Sequence, residues 1–259
     1  MTLRTLNATR YVTPLREGGS LPAIIEADDE GMYVLKFRGA GQGPKVLIAE
    51  LIAGEIARAL GLPVPEIVFV ELDPALSRTE PDPEIQALIQ ASAGLNLALD
   101  YLPGSVMFDP LVTQPDSQLA SRIVWFDALV TNVDRTARNT NMLMWHRRLW
   151  LIDHGAALYF HHSWDEDYLR RSQDRFPMIK DHVLLPFAKS LQEAAAELSS
   201  KITPELIQQI VAQVPDSWLQ ERSPFASADE HRAAYVEYLT RRVQGPQPFL
   251  EEALRAMRV

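Results

Sequence analysis

The chain has 259 residues, of which 47% are hydrophobic and 23% are charged, as in an ordinary soluble globular protein. It contains no cysteine, which excludes disulfides, thiol catalysis and cysteine-ligated zinc. The net charge of −9 argues against sequence-independent binding to nucleic acid or an anionic membrane, because both need clustered lysine and arginine. No apolar run reaches the roughly 18 residues of a membrane span. The first residues lack the apolar core of a signal peptide, so we expect a cytoplasmic protein.

The first hundred residues are predicted to be rich in strands. Two short runs of β-favouring residues, 21–27 and 32–38, flank a turn of Asp, Glu and Gly, which is typical of a hairpin. Residues 45–60 carry apolar side chains at helical spacing and predict a helix. Further strands are expected over residues 66–72 and 95–102, separated by a segment that begins rich in proline and acidic residues.

The remainder of the chain is predicted to be mainly helical. Apolar runs on both sides of residues 145–148 indicate one hairpin. The segments with helical periodicity are 116–131, 184–199, 203–214, 228–243 and 249–257. The change from strands to helices falls near residue 102. We therefore predict an α+β fold of two lobes, a small β-rich N-lobe over residues 1–102 and a larger, mainly helical C-lobe over residues 103–259.

Three polar residues in the second half of the chain suggest chemistry. Asp134 and Asn139 lie five positions apart in a loop, and Asp153 ends an apolar strand before His154 and Gly155. In a phosphoryl-transfer site, Asp134 would orient or deprotonate the acceptor, while Asn139 and Asp153 would hold magnesium, which prefers hard oxygen ligands. Asp and Asn are also common turn formers, so each residue alone is weak evidence. Their combination in this spacing and strand context favours a phosphoryl-transfer site.

Residues upstream could complete such a site. Lys36 lies in a predicted strand and would contact the α- and β-phosphates while pairing with a helix glutamate, Glu50 in the first instance or Glu55. A solvated surface position is the alternative for all three residues. A two-glycine turn precedes the first predicted strand and would cover the phosphates, because glycine exposes backbone N–H groups to an anion. Its residues are Gly18, Gly19 and Ser20.

Taken together, these motifs resemble the HipA-like kinases, within the phosphoinositide-kinase-like and protein-kinase-like superfamily. The resemblance covers about residues 13–160. It rests on the Lys36 strand, the helix from Glu50 that exits through residues 59–65, the segment from Asp134 to Asn139, and the segment 152–155.

The resemblance implies a two-lobed protein-kinase-like fold that uses ATP and magnesium. Asp134 would be the catalytic base, Lys36 the phosphate contact, and Asn139 and Asp153 the magnesium ligands, with Asn141 as a replacement or supplement for Asn139. Adenine would meet the backbone of the connection that follows the last strand of the N-lobe. That connection comprises Asp100, Tyr101 and Leu102.

The chain departs from the family pattern in two places. Thr136 stands where toxin-type members carry histidine, two residues after the catalytic aspartate. Those members also have an extra N-terminal subdomain, for which we expect no room in this chain. The first departure concerns the acceptor, and the second argues against the full-length toxin type.

We therefore expect an ATP- and magnesium-dependent kinase that phosphorylates a Ser or Thr hydroxyl of a protein, or itself. The alternatives are a kinase of small molecules or lipid headgroups and a non-catalytic nucleotide-binding pseudokinase or scaffold. The expected partners are ATP, an unidentified protein substrate and an antitoxin-type protein, with neither nucleic acid nor membrane. The acidic turn 165–167 lies where an acceptor-binding loop would run and would favour a basic substrate.

Overall fold

Five strands close into a barrel in the N-terminal part of the chain. The computed structural model describes residues 2–15, 21–41, 43–221 and 223–258. Around the barrel the strand order is β1-β2-β3-β5-β4. The strands are β1 (Thr5–Pro14), β2 (Ala23–Ala27), β3 (Met32–Lys36), β4 (Ile67–Leu72) and β5 (Gly94–Asp100). Neighbouring strands are antiparallel except β1 and β4, whose parallel pairing closes the barrel.

The sequence patterns predicted neither β1 nor the two-residue strand at Val106–Met107. Leu6 and Ala8 are buried in the alternation that a strand needs, but register shifts follow at Ala8/Arg10 and Tyr11/Thr13. Each irregularity moves the next side chains to the opposite face, so the two-residue period breaks within ten residues. The closure of the barrel therefore depends on a strand whose hydrophobic pattern is interrupted.

The helix α1 (Pro44–Ala59) packs between the barrel and the helices that follow. Twelve of its 16 residues are buried, including Glu50 and Glu55. At Gly54 a Cβ atom would lie 2.4 Å from the Ile67 Cδ1 atom, so the absence of a side chain allows the helix to approach β4 closely. Because both of these carboxylates are buried, they need partners within the protein.

The remainder of the chain is mainly helical, with one small sheet of three strands. The sheet has the order β6-β7-β8, formed by β6 (Val106–Met107), β7 (Met142–Trp145) and β8 (Arg148–Leu151). The further helices are α2 (Pro83–Ala91), α3 (Ser117–Leu129), α4 (Tyr168–Arg171), α5 (Leu191–Ser199), α6 (Pro204–Val211), α7 (Asp216–Gln220), α8 (Ala228–Gln244) and α9 (Gln247–Ala256). Short 3₁₀ helices cover Pro74–Thr79, Tyr159–His162, Pro177–Asp181 and Leu185–Phe187.

The local sequence explains where several helices begin. Asp116 and Thr203 accept hydrogen bonds from the third residue of α3 and α6, and Ser227 does the same for α8. The predicted helix 184–199 is shorter than expected. Pro186 confines the first part to a 3₁₀ turn, and α5 begins only at Leu191.

Two hydrophobic cores result from this arrangement. The smaller one fills the barrel and includes Ile25, Leu35 and Val68. The larger one runs from α1 and the outer face of the barrel through the C-terminal helices, where Trp218 meets Phe69 edge-to-face at 5.7 Å between ring centroids. The fold is thus mixed, with a β-rich N-terminal region and a helical remainder. Within the described ranges, no helix combines the length and apolar character that a membrane crossing requires.

The packing around α1 generates a prediction about stability. Leu51 is completely buried in α1, whereas Leu111 is 93% exposed. We expect Leu51→Ala to lower the free energy of unfolding by about 2 to 5 kcal/mol, because it removes buried methyl groups and leaves a cavity. Leu111→Ala makes the same chemical change at the surface and should stay within about 0.5 kcal/mol of the wild type. Urea unfolding of the three proteins measures this, and equal effects of both substitutions would contradict the burial of α1.

Candidate active site

Lys36 ends β3 and lies between two carboxylates. Its Nζ atom is 2.5 Å from Glu50 Oε2 on α1 and 2.5 Å from Asp153 Oδ1, two residues after β8. The neighbouring Leu35 points into the barrel, so strand alternation turns Lys36 outward to α1. Glu55 forms its ion pair with Arg58 instead, at 2.6 Å. The helix glutamate that pairs with Lys36 is therefore Glu50.

Charge on this cluster is stabilised by its own members. Burial disfavours the charged form of Lys36, but Asp153 and Glu50 outweigh it and raise the pKa of the amine above its ordinary value. Burial likewise opposes ionisation of Glu50, yet Lys36 and His154 hold the pKa of this carboxyl well below its usual range. His154, which is fully buried, places Nδ1 3.2 Å from Glu50 Oε1. Lys36 and Glu50 therefore both carry their charges at neutral pH.

Asp153 occupies an unusual backbone conformation. Its φ angle is +56°, in the left-handed region that Asp and Asn tolerate better than most residues. At Gly155 a Cβ atom would lie 2.6 Å from Val46 Cγ1, so glycine lets this turn approach α1. The Asp153 side chain is 43% exposed, and its Oδ1 atom is the one that meets Lys36. Half of this carboxylate faces away from the ion pair.

The loop after α3 brings Asp134, Asn139 and Asn141 together. Asp134 Oδ2 accepts a hydrogen bond from Asn139 Nδ2 at 2.8 Å and from Asn141 Nδ2 at 3.2 Å. The Asn141 carbonyl accepts from the Ile152 N–H at 3.0 Å. Because Asp153 follows Ile152 directly, this backbone hydrogen bond places the Asp134 cluster beside the Lys36 cluster.

A buried network that the sequence analysis missed supports this loop. Asp127 Oδ2 on α3 accepts from Arg135 Nε at 2.6 Å and lies 2.9 Å from His182 Nε2. The Leu184 N–H donates to His182 Nδ1 at 3.0 Å, so the proton of this imidazole is on Nε2 and is donated to Asp127. Arg135 Nη1 also donates to the Asn141 carbonyl at 2.5 Å. The side chain of Arg135, which directly follows Asp134, thereby bonds to Asn141 at the far end of the loop.

Electrostatics and sequence context both distinguish this network. Burial raises the cost of ionising Asp127, but Arg135 and His182 more than compensate, and the pKa of this carboxyl lies well below its usual range. Asp127 stands in an apolar stretch of α3, residues 123–129, with Phe126 before it and Ala128 after it. An acidic residue at such a position is a signal for a buried partner, and Arg135 follows it by eight residues.

The remaining predicted site residues are the connection from Asp100 to Leu102 and the glycine turn before β2. Asp100 ends β5, where its N–H donates to the Glu66 carbonyl and the Tyr101 N–H donates to the Met32 carbonyl. Burial raises the pKa of the Asp100 carboxyl. Leu102 is buried, and among the described residues its N–H forms no hydrogen bond. The predicted phosphate-covering residues, Gly18, Gly19 and Ser20, lie outside the described residues.

Comparison with known proteins decides the family. The family model for HipA-like kinases matches residues 9–248, which is most of the chain. This chain belongs to the HipA-like kinase family. A search of curated proteins gives no match.

Solved structures agree with this assignment at the level of fold. The Helicobacter pylori proinflammatory kinase CtkA shares 15% sequence identity, with a TM-score of 0.54 over 97% of this chain and 98% of CtkA. Two structures of the Golgi casein kinase, one with Mn/ADP bound, match at 12% identity. Their TM-scores are 0.48 and 0.46, over 97% of this chain and 73% and 72% of theirs. The family match confirms the predicted resemblance to HipA-like kinases, and the likeness to CtkA shows a kinase fold.

The geometry limits how this HipA-like kinase could hold a metal. No group of three His, Asp or Glu side chains is arranged to hold a metal ion within the ranges that the structure describes. A magnesium ion needs fewer protein ligands, because it retains several waters and is bound through one or two carboxylates together with substrate phosphates. The outward part of Asp153 and the amides of Asn139 and Asn141 fit that mode of binding.

The buried network predicts a pH-dependent effect on stability. Asp127→Asn should lower the free energy of unfolding by about 3 to 5 kcal/mol at neutral pH, because it leaves the buried guanidinium of Arg135 without its carboxylate. The folded-state pKa of Asp127 is depressed, so its stabilising effect exists above the unfolded pKa of about 3.9 and is lost as pH falls below that value. The difference between wild type and variant should therefore shrink by about 1 kcal/mol between pH 5 and pH 3.

Denaturant unfolding across this pH range measures that difference. The matched control is Asp181→Asn, which changes an exposed aspartate beside His182 and should have little effect at any pH. If the difference in the free energy of unfolding between wild type and Asp127→Asn stays constant from pH 7 to pH 3, the buried ion pair does not lower the pKa of Asp127.

Proposed function

We propose that this HipA-like kinase transfers the γ-phosphoryl group of ATP to a Ser or Thr hydroxyl of a protein, with magnesium as the cofactor. The observation that carries the proposal is the double ion pair of Lys36 with Glu50 and Asp153, one backbone hydrogen bond away from the cluster of Asp134, Asn139 and Asn141. Lys36 comes from the barrel, whereas Asp134 and Asp153 come from the following region. We propose that these two regions, 1–102 and 103–259, act as two lobes with the nucleotide between them.

Each residue has a role that its contacts support. Lys36 donates to the α- and β-phosphates, and Glu50 holds its ammonium group in place. Asp153 and Asn139, supplemented by Asn141, hold the magnesium ion, which neutralises phosphate charge when bound. Leu102 meets adenine through its backbone, as part of the connection from Asp100 to Leu102.

Asp134 is the proposed catalytic base. Its carboxylate is oriented by the amides of Asn139 and Asn141 and accepts the proton of the acceptor hydroxyl. Arg135 acts through the loop as a positioning residue, because its guanidinium is bonded to Asp127 and to the Asn141 carbonyl. Residues 137–139 are exposed, so a polypeptide acceptor has access to this loop.

The nucleotide site can be tested by thermal unfolding with and without magnesium-ATP. A ligand at 100 times its dissociation constant stabilises the folded protein by about 2.7 kcal/mol, which corresponds to several degrees for a chain of this size. We expect this shift in the wild type and its loss in Asp153→Asn. Asparagine suits the variant because it tolerates the positive φ angle of Asp153.

Glu251→Gln is the control, since it removes an exposed carboxylate on α9. It should retain the full shift. A magnesium-dependent shift of the same size in Asp153→Asn would show that Asp153 is not a metal ligand of the nucleotide site.

The base can be tested separately from nucleotide binding. Asp134→Asn preserves the size of the side chain but removes the proton acceptor, so we expect kcat to fall by about 10²- to 10⁴-fold while the magnesium-ATP shift persists. Transfer of radiolabelled phosphate to protein measures kcat. If the wild type binds magnesium-ATP and transfers phosphate to no acceptor, itself included, the protein is a nucleotide-binding pseudokinase rather than an enzyme.

A further inference from the structure

A cavity of the protein is lined mainly by residues that follow Asp134 in the chain. This cavity has a volume of about 560 Å³ and is lined in part by Val133, Tyr159, Arg175, Met178 and Tyr238. None of these residues belongs to the Lys36 or Asp134 clusters. We refer to it as the Arg175 cavity.

The walls of the Arg175 cavity are fixed relative to Asp134. Val133, in one wall, is the residue before Asp134. The wall that follows Asp153 is attached to the end of α3, where the Leu158 N–H donates to the Val130 carbonyl at 2.7 Å and the Tyr159 N–H donates to Thr131 Oγ1 at 3.1 Å. The walls of the cavity are therefore hydrogen-bonded to the segment that leads into Asp134.

The segment that carries Arg175 and Met178 is attached to the same loop. It continues to His182, which pairs with Thr136 in a β-bridge, and the Val183 N–H donates to the Arg135 carbonyl at 3.1 Å. Thr136 and Arg135 are the two residues directly after Asp134. Both sides of the cavity thus connect to the backbone that positions the base.

The charges of the lining favour an anion, although the whole chain carries a net charge of −9. The lining includes three arginines, Arg171, Arg175 and Arg242, and one acidic residue, Asp174. Arg171 is neutralised by Asp165 at 3.1 Å. Arg242 is buried and donates only to carbonyl groups.

Arg175 is the accessible cation of this set. It is exposed and has no carboxylate partner among the described residues. The carboxylate of Asp174 instead lies 3.8 Å from Arg170, a residue that does not line the cavity. The acidic turn 165–167 was expected to favour a basic substrate. However, Asp165 is paired with Arg171, and Asp167 with Arg170 at 3.4 Å, so two of its three carboxylates are already neutralised.

The rim of the cavity is apolar. Tyr159 is 61% exposed and Met178 is 48% exposed, and both belong to the small set of large hydrophobic side chains on the surface. Behind them Phe160 stacks on Tyr238 with 3.4 Å between ring centroids. An occupant that matches this surface combines negative charge with an apolar side chain.

We propose that the Arg175 cavity binds the acceptor protein through an acidic segment next to the phosphorylated Ser or Thr. A glutamate or aspartate of that segment pairs with Arg175, and an apolar side chain packs on Tyr159 and Met178. This assignment rests on the proposed kinase function and adds the class of substrate, an acidic and partly hydrophobic peptide.

Fluorescence anisotropy with labelled peptides tests the proposal without ATP. The probes are three short peptides that share one serine and one phenylalanine and carry glutamate, glutamine or lysine at the other positions. At about 0.15 M salt, where exposed charges act over about 8 Å, we expect the glutamate peptide to bind about two- to fivefold more tightly than the glutamine peptide. The lysine peptide should bind most weakly.

Variants locate the effect. Arg175→Gln should abolish the preference for glutamate over glutamine, and Arg175→Glu should reverse it towards lysine. Arg78→Glu makes the same change in net charge at an exposed position in the 3₁₀ helix Pro74–Thr79 and should retain the wild-type preference. All three variants should keep the wild-type melting temperature and magnesium-ATP shift.

The outcomes separate this inference from the proposed function. Equal binding of the three peptides, a preference for the lysine peptide, or loss of preference in Arg78→Glu as well would overturn the acidic-acceptor assignment even if the protein transfers phosphate. Equally tight binding of a short single-stranded oligonucleotide would also overturn it, because the cavity would then recognise anions in general. If magnesium-ATP gives no thermal shift, the proposed kinase function fails, whereas an Arg175-dependent preference would still support an acidic peptide ligand.

Discussion

A buried ammonium group needs carboxylate partners, because removing a charge from water costs far more than one hydrogen bond returns. Lys36 meets this requirement with two carboxylates from separate parts of the chain, Glu50 on α1 and Asp153 after β8. The interaction therefore holds a strand of the barrel, a largely buried helix and the end of a distant hairpin at fixed positions. Removing one partner of such a buried pair costs about 3 to 5 kcal/mol, which is a large share of the stability of a typical domain.

The same constraint shapes the loop that carries Asp134. Arg135 is buried beneath it and is neutralised by Asp127, which His182 also contacts. In both clusters a buried carboxylate comes from a largely buried helix, Glu50 from α1 and Asp127 from α3, so packing of the core and placement of the polar groups are coupled. A change in the packing of α1 or α3 would move Glu50 or Asp127 and, through them, the groups that we propose to bind nucleotide and acceptor.

The two charged clusters and the Arg175 cavity form a continuous series along the chain. Asp153 lies in the first cluster, and its neighbour Ile152 is bonded to Asn141 in the second. The residues after Asp153 run directly into the wall of the cavity, and the segment beyond it returns to bond with Arg135 and Thr136. Phosphoryl transfer requires nucleotide and acceptor to be held in one orientation, and under the proposed function this connectivity would link the groups that bind them.

Much of this protein follows from its sequence alone. Hydrophobic periodicity and turn residues predicted β2 to β5, α1, the β7–β8 hairpin and most of the later helices, and the motifs around Lys36, Asp134 and Asp153 predicted the HipA-like kinase family that the comparison confirmed. The roles of the individual site residues stay predictions. β1 escaped because its register shifts break the alternating pattern, and the start of α5 was misplaced because Pro186 interrupts the helical period. Both are local irregularities, which a regular hydrophobic period does not predict.

Other properties were decided only by the tertiary structure. The choice of Glu50 over Glu55, the support of Arg135 by Asp127 and His182, and the neutralisation of Asp165 by Arg171 all depend on which side chains the packing brings together. The partners lie six residues apart in the chain for Asp165 and Arg171 and 55 residues apart for Asp127 and His182. Spacing and composition determine where a helix or strand forms and which of its residues share a face, because both depend on neighbours in the sequence. Which charge is buried, and which carboxylate neutralises it, depends on the packing of elements against one another, and no local pattern encodes that.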